Sequence, residues 1–175
     1  HVCNTMKFDQ VPDAAAGEAQ RECLDAVFGT GDRLVWTAGS THAGEEALVA
    51  DVFGRLKEEF PALRLILVPR HHERTAEVEQ VLRERGLTYR LRVPAAHEAK
   101  QQQGGDPVDV LLVNTTGELM GFYAVADLVF VGKSIAGQHG GHNIIEPAIF
   151  SKPILHGPNM ENFRLVVEYF RDHGG

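Results

Sequence analysis

The chain has 175 residues, of which 43% are hydrophobic and 23% charged, the composition of a globular domain with room for one ample core. Its formal charge of −7 argues against broad nucleic-acid binding, which needs a basic face. Cys3 and Cys23 form neither a C-x-x-C pair nor a disulfide framework, and no apolar run approaches the roughly 20 residues that cross a bilayer. With no secretory leader read at the start, the expectation is a reduced, cytoplasmic setting.

The first thirty residues stand apart, with Val2 to Phe8 as a strand or connection and Gly17 to Phe28 as a helix. From there the elements alternate. Leu34 to Ala38 reads as a buried strand running into Gly39-Ser40-Thr41. Glu45 to Phe60 reads as a helix with Leu48, Val52, Leu56 and Phe60 spaced along one face, stopped by Pro61. Leu63 to Val68, polar only at Arg64, suits a parallel strand covered on both sides. Glu73 to Arg85 is a charged amphipathic helix ended by Gly86, and Thr88 to Val93 a third strand. Ala95 to Pro107, with Gln101-Gln102-Gln103-Gly104-Gly105, has no period and reads as a mobile surface loop. Strands at Val108–Val113, Leu128–Val131 and Pro153–Leu155 follow, interleaved with helices at Gly117–Val125, Asn143–Phe150 and Asn162–Asp172. The alternation predicts a Rossmann-like, doubly wound α/β fold with a parallel sheet. The domain proper is taken as residues 31–175, with residues 1–30 as a connection and first helix.

Ligands of such sheets bind beyond the carboxyl ends of the strands, and four polar stretches fall there. Gly39-Ser40-Thr41-His42 offers hydroxyls and N–H groups to an anion, or simply caps the next helix. Arg70, in Pro69-Arg70-His71-His72, can pair bidentately with phosphate or carboxylate, or stand in solvent. In Asn114-Thr115-Thr116-Gly117-Glu118, Glu118 can accept hydrogen bonds from a base or ribose, or the stretch can be another helix cap. The fourth is Gly140-Gly141-His142-Asn143-Ile144-Ile145-Glu146-Pro147. Its glycines permit close backbone approach, its helix start suits an anion, and Asn143 and Glu146 share a face. The other reading of the last pair is a capping box. Gly132-Lys133-Ser134 is not a P-loop, since Asp127 stands where that motif needs glycine. There is no G-x-G-x-x-G after a strand, no nucleophile elbow and no histidine–cysteine–carboxylate set for a metal. These sites bind; none carries an evident nucleophile.

Six stretches together carry a family resemblance. They are Asn4 to Asp9; Ala38 to His42 with Gly44-Glu45-Glu46; Leu67 to His71 with Glu73-Arg74; Thr116 to Leu119; Gly140 to Pro147; and Gly157-Pro158 with Glu161-Asn162-Phe163. In this order the chain resembles the C-terminal domain of 3-deoxy-D-manno-octulosonic acid (Kdo) transferases. Asn114 stands where that family commonly has aspartate, and Lys133 where a second glycine is usual.

The resemblance implies a GT-B architecture, in which two Rossmann-like domains flank a cleft and the C-terminal one holds the donor CMP-Kdo. It assigns Pro69, Arg70, Thr116, Gly117, Glu118 and the run Asn143, Ile144, Ile145, Glu146 to donor binding, with Ser40, Gly140 and Gly141 as further candidates. Lys7 takes the part of a cation that stabilises charge as CMP leaves. No metal or cofactor is implied. The acceptor, a lipid A precursor, the general base and the contact with the cytoplasmic face of the bacterial inner membrane belong to an N-terminal domain not in this sequence. Further helices are expected beyond Gly175. By this account the chain alone is a donor-binding fragment without turnover. Two alternatives remain: a related GT-B transferase or sugar-nucleotide epimerase domain that uses a uracil nucleotide, and a non-catalytic nucleotide-binding module.

Overall fold

A computed structural model describes residues 17–92 and 106–174. The expected element at Val2–Phe8, the candidate Lys7 and most of the 95–107 loop lie outside these residues. In chain order the elements are α1 (Glu18–Phe28), β1 (Leu34–Thr41), α2 (Glu45–Glu59), β2 (Leu63–Pro69), α3 (Thr75–Glu84), β3 (Tyr89–Leu91), β4 (Val110–Leu112), α4 (Leu119–Val125), β5 (Leu128–Val131), α5 (Ile145–Ala148), β6 (Ile154–His156) and α6 (Arg164–Asp172). Short 3-10 turns, His72–Arg74 and Glu161–Phe163, lead into α3 and α6.

The six strands form one parallel sheet in the order β3-β4-β2-β1-β5-β6. The fold is therefore the Rossmann-like α/β class that the alternation predicts. The crossovers leave β1 and β5 in opposite directions, towards β2 and β6, so the topological switch point lies between β1 and β5, where ligands of open α/β sheets bind.

Alternate residues of β1 and β2 serve the two faces, as the pleat demands. Trp36, Ala38, Leu65 and Leu67 pack with Val49, Ala50 and Phe53 of α2 and Val78 and Leu82 of α3. Val35, Ile66 and Val68 pack with Cys23, Leu24, Val27 and Phe28 of α1 and Phe122 of α4. The first helix is thus a structural layer of the sheet. A third cluster, Tyr123, Val129, Val131, Ile144 and Met160, joins α4 and β5 to the segments around α5 and α6.

Two elements differ from their sequence reading. On α2, the stripe Leu48–Val52–Leu56–Phe60 is not the buried face: Leu48, Val52 and Phe60 are 44%, 39% and 47% exposed, while Val49, Ala50 and Phe53 are buried. The rotation follows from Glu45, which is wholly buried and shares its stripe with Val49 and Phe53 at four-residue spacing. A hydrophobicity count treats a glutamate as surface and turns the helix the wrong way. The helix expected over Asn143–Phe150 is the single turn α5, followed by Ser151 in the left-handed region with φ 53°. One turn sums few peptide dipoles, so little of the expected field at an anion remains.

Candidate functional site

The carboxyl ends of β1 and β5 are held together by one side chain. Glu45 Oε2 accepts the backbone N–H groups of His42 (2.9 Å) and Lys133 (2.7 Å), and Oε1 those of Ser134 (2.8 Å) and Ile135 (3.1 Å). The two loops also approach through backbone: a Cβ on Gly132 would stand 2.4 Å from the Ser40 carbonyl oxygen. Ser40 and Lys133 both hold left-handed conformations, φ 54° and 60°. Ser40 marks the register break between Gly39 and Thr41 in the β1–β2 ladder. Lys133 sits in a conformation that glycine adopts readily. The Thr41 hydroxyl is buried and has no hydrogen-bond partner among the described residues.

The glycine-rich stretch is braced from behind. Gly140 donates its N–H to Glu161 Oε2 (2.6 Å) and accepts from Asn162 N (3.0 Å), and Gly141 donates to the Lys133 carbonyl (2.9 Å). Their φ angles are 99° and 69°, and added Cβ atoms would stand 2.5 Å from Asn162 Nδ2 and 2.4 Å from Met160 Sδ. The glycines are required by this packing, whatever else they face. Asn143 Oδ1 accepts the Ile145 N–H (3.1 Å) and its Nδ2 donates to Glu146 Oε1 (3.2 Å), an Asx-type turn that orients the Glu146 carboxylate. Glu146 lies close enough to Tyr123 that, with burial as the larger cause, it pushes the phenol pKa up. Ile144 is buried in the third core cluster, so its side chain serves the fold; Ile145 is only partly covered.

Arg70 is exposed immediately after buried Pro69 at the end of β2, and its N–H donates to the Thr41 carbonyl (2.9 Å). Among the described residues neither Arg70 nor Lys133 forms a side-chain ion pair. Both face His142, whose pKa is taken down to about 4 by burial, then by His42, Arg70, Lys133 and His71. The His42 pKa is lowered as well, first by burial, against the opposing pull of the Glu45 carboxylate.

A neighbouring groove of about 590 Å³ is lined by His72, Arg92, Asn114, Thr115, Thr116 and Glu118. Here Glu118 is engaged: Oε1 accepts from Arg92 Nε (3.1 Å) and Nη2 (2.9 Å), and Oε2 accepts from the Thr115 hydroxyl. Thr116 and Gly117 are exposed, Gly117 with φ 84°. On the other side of β2, buried Glu46 pairs with Arg74 (2.8 Å).

The structure thus gathers Ser40, Arg70, Asn143 and Glu146 with Lys133 along one edge of the sheet, and Thr116 and Glu118 in the groove beside it, with Gly117 exposed between them. The sequence reading did not single out the contacts that Glu45, Arg92 and the His42–His142 pair make at this edge. One signal was present, because His42 and Glu45 stand at the spacing at which a glutamate reaches back to the N–H that starts its helix.

No family model matches the chain. It is 36% identical over 141 residues to a 3-deoxy-D-manno-octulosonic acid transferase of Haemophilus influenzae, covering 78% of this chain, and 35% identical over 166 residues to one of Bordetella pertussis, covering 93%. It spans 31% and 36% of the length of these two relatives. Among solved structures it matches the C-terminal CMP-Kdo binding domain of WaaA from Acinetobacter baumannii with a TM-score of 0.75 and 31% identity, over 89% of this chain and 78% of that one. A sheet with its switch point between β1 and β5, loops bound together by Glu45, and these likenesses place the chain in the 3-deoxy-D-manno-octulosonic acid transferase family, as its C-terminal domain.

Proposed function

We propose that this chain is the donor half of a Kdo transferase, binding CMP-Kdo for metal-independent transfer of Kdo to a lipid A precursor. The observation that carries the reading is the match, over most of both chains, to a domain described as binding CMP-Kdo. Arg70 and Lys133, which form no side-chain ion pair among the described residues, supply cations for phosphate and carboxylate. Glu146, oriented by Asn143, accepts from ribose hydroxyls, while Thr116, Gly117 and Glu118 border the space for the base. Pro69 fixes the approach to Arg70, Ile144 and Ile145 contribute backbone, and Ser40, Gly140 and Gly141 shape the floor. Lys7, outside the described residues, stabilises departing CMP. In the whole enzyme a base on the acceptor-binding domain takes the proton of the acceptor hydroxyl, and that domain brings the cleft to the cytoplasmic face of the inner membrane. No helix among the described residues is long and apolar enough to cross a membrane. The comparisons do not favour the uracil-nucleotide alternative.

Calorimetric titration with CMP, beside UMP and a Glu146→Ala variant, tests the reading. Binding of CMP in preference to UMP, weakened about tenfold or more in the variant by loss of a charge-assisted hydrogen bond, is expected, with the melting transition retained. Loss of the fold without a separable binding defect would assign Asn143 and Glu146 to helix capping. Preference for UMP would move the chain to a uracil-nucleotide enzyme.

A further inference from the structure

His42, after β1, and His142, in the glycine-rich stretch after β5, place their Nε2 atoms 2.9 Å apart, with rings nearly parallel at 21° and centroids 5.1 Å apart. His71, after β2, meets His42 edge-on at 5.5 Å. Three loops that are distant in sequence therefore bring three imidazoles together at the carboxyl edge of the sheet. A contact between two ring nitrogens has room for one hydrogen, so one ring donates and the other accepts. Protonating both Nε2 atoms would set two N–H groups against each other.

The permanent charges around the pair are mostly cations, and a third imidazole stands with them. Arg70, Lys133 and His71 face His142, and Lys133, His71 and Arg74 face His42. Arg74 is itself paired with Glu46 and Glu77. Among the described residues the carboxylate that acts on the pair is Glu45, and its two oxygens are already shared among four backbone N–H groups. The ligand-free edge is thus a cationic surface whose two central histidines stay neutral. Burial is the larger reason they stay neutral and the neighbouring cations add to it; an anion entering the edge offsets those cations, and an opposite charge within a few ångströms moves a pKa by about 1–3 units.

We propose that the His42–His142 pair is a proton-accepting anion receptor, taking one proton from solvent when the phosphoryl group of the donor nucleotide binds beside Arg70 and Lys133. This rests on the donor-site reading above and adds to it two binding residues and a proton linkage. The proton comes from bulk buffer, forms an N–H bond on the imidazole pair and belongs to the pair rather than to either ring. The resulting imidazolium donates to the phosphate oxygens without any bond being broken in the nucleotide.

The test is isothermal titration calorimetry of the 175-residue chain at pH 7, in two buffers of different ionisation enthalpy, with CMP and with phosphate-free cytidine. The second phosphate ionisation lies near about pH 6, so CMP entering a cationic site can only release protons, and net uptake reports the protein. A pair that starts from a His142 pKa of about 4 and is raised by up to about 3 units reaches about 7, so the expectation at pH 7 is net uptake of up to about half a proton per CMP and none with cytidine. The CMP dissociation constant should then rise by up to about fivefold from pH 6 to pH 7 and by less than about twofold from pH 7 to pH 8, levelling off above the pKa of the bound pair. A His42→Gln/His142→Gln double variant should lose both effects while still binding CMP more weakly. If circular dichroism shows that variant unfolded, the comparison of CMP with cytidine on the unaltered chain decides alone. CMP binding without uptake, equal uptake with cytidine, or unchanged uptake in a folded double variant overturns the inference and leaves the donor reading standing. Absence of CMP binding throughout this pH range overturns both.

Discussion

Replacing Glu45 by glutamine removes one charge and one acceptor from a side chain that is otherwise the same size. Of the four N–H groups that Glu45 accepts, Ser134 and Ile135 reach Oε1 and His42 and Lys133 reach Oε2. A glutamine can keep its single oxygen towards one pair but must turn its own N–H₂ towards the other. An orphaned buried donor costs about 1–3 kcal/mol, and the charge assistance on the retained bonds is lost as well. His42 and Lys133 are only partly buried, so water recovers some of the loss there. The net expectation for Glu45→Gln is a destabilisation of about 3 kcal/mol, or about 6–12 °C in melting temperature for a chain of this size. Equilibrium urea unfolding with an unchanged m-value measures it. CMP affinity should fall too, because the β1 and β5 loops lose their common anchor. A loss below about 1 kcal/mol would refute the reasoning, since it would mean that the four contacts are replaced by water at little cost.

Lys133 holds a left-handed φ of 60°, so Lys133→Gly should be neutral to stabilising by about 1 kcal/mol, strain relief outweighing the added freedom of the unfolded chain; a clear drop in melting temperature would contradict this. On α2, Phe53→Ala should cost about 3–5 kcal/mol as a core truncation. Leu48→Ala, at 44% exposed, should cost under about 1 kcal/mol, and a reversed order in urea unfolding would restore the face read from the sequence. Acid should weaken the fold before the carboxylates titrate. Between the folded His142 pKa of about 4 and the unfolded value near about 6.5, the unfolded chain carries a proton that the folded chain lacks. Stability is therefore full above about pH 6.5 and is lost as pH falls towards 4. The contribution is at most about 3 kcal/mol, or about 2 after allowing for solvent screening. Unfolding midpoints from pH 7 to 4.5 should show this slope, flattened in His142→Gln; an equal slope in the variant would remove the histidine from the explanation.

Strands buried on both faces were legible because burial leaves little choice of residue. Leu63–Val68, apolar but for Arg64, and Leu128–Val131 read as strands from their apolar runs, and the structure places them at Leu63–Pro69 and Leu128–Val131. Helix rotation was less legible, because it depends on which side chains find partners far away in sequence. Nothing local to Glu45 shows that Lys133, Ser134 and Ile135 will donate to it across about ninety residues. The same holds for His42 and His142, a hundred residues apart, and for Glu118, which looks free in sequence and is met by Arg92 in the fold. Loop sites on parallel sheets are assembled from the ends of separate strands, so their members become visible one at a time in sequence and as a set only in space.

Among the described residues, several of the stretches that carried the family likeness touch one another, and this changes what membership in a motif implies. Gly140 and Gly141 press against Asn162 and Met160, Glu161 accepts from Gly140, and Gly157 lies so close to Ser134 that a Cβ would stand 2.1 Å from its carbonyl oxygen. Glu45, from the second stretch, holds Lys133, Ser134 and Ile135, next to the fifth. A family pattern built from such contacts specifies the shape of the carboxyl edge before it specifies any ligand. Membership alone therefore does not separate Gly141, whose substitution would disturb packing, from Arg70, which is exposed and without an ion pair among the described residues. The separable positions are those whose side chains leave the packing. By that criterion Arg70 and Lys133 are where ligand chemistry can be altered with the least disturbance to the fold. A variant at Arg70 that binds CMP as tightly as the unaltered chain would place the anion elsewhere on this edge.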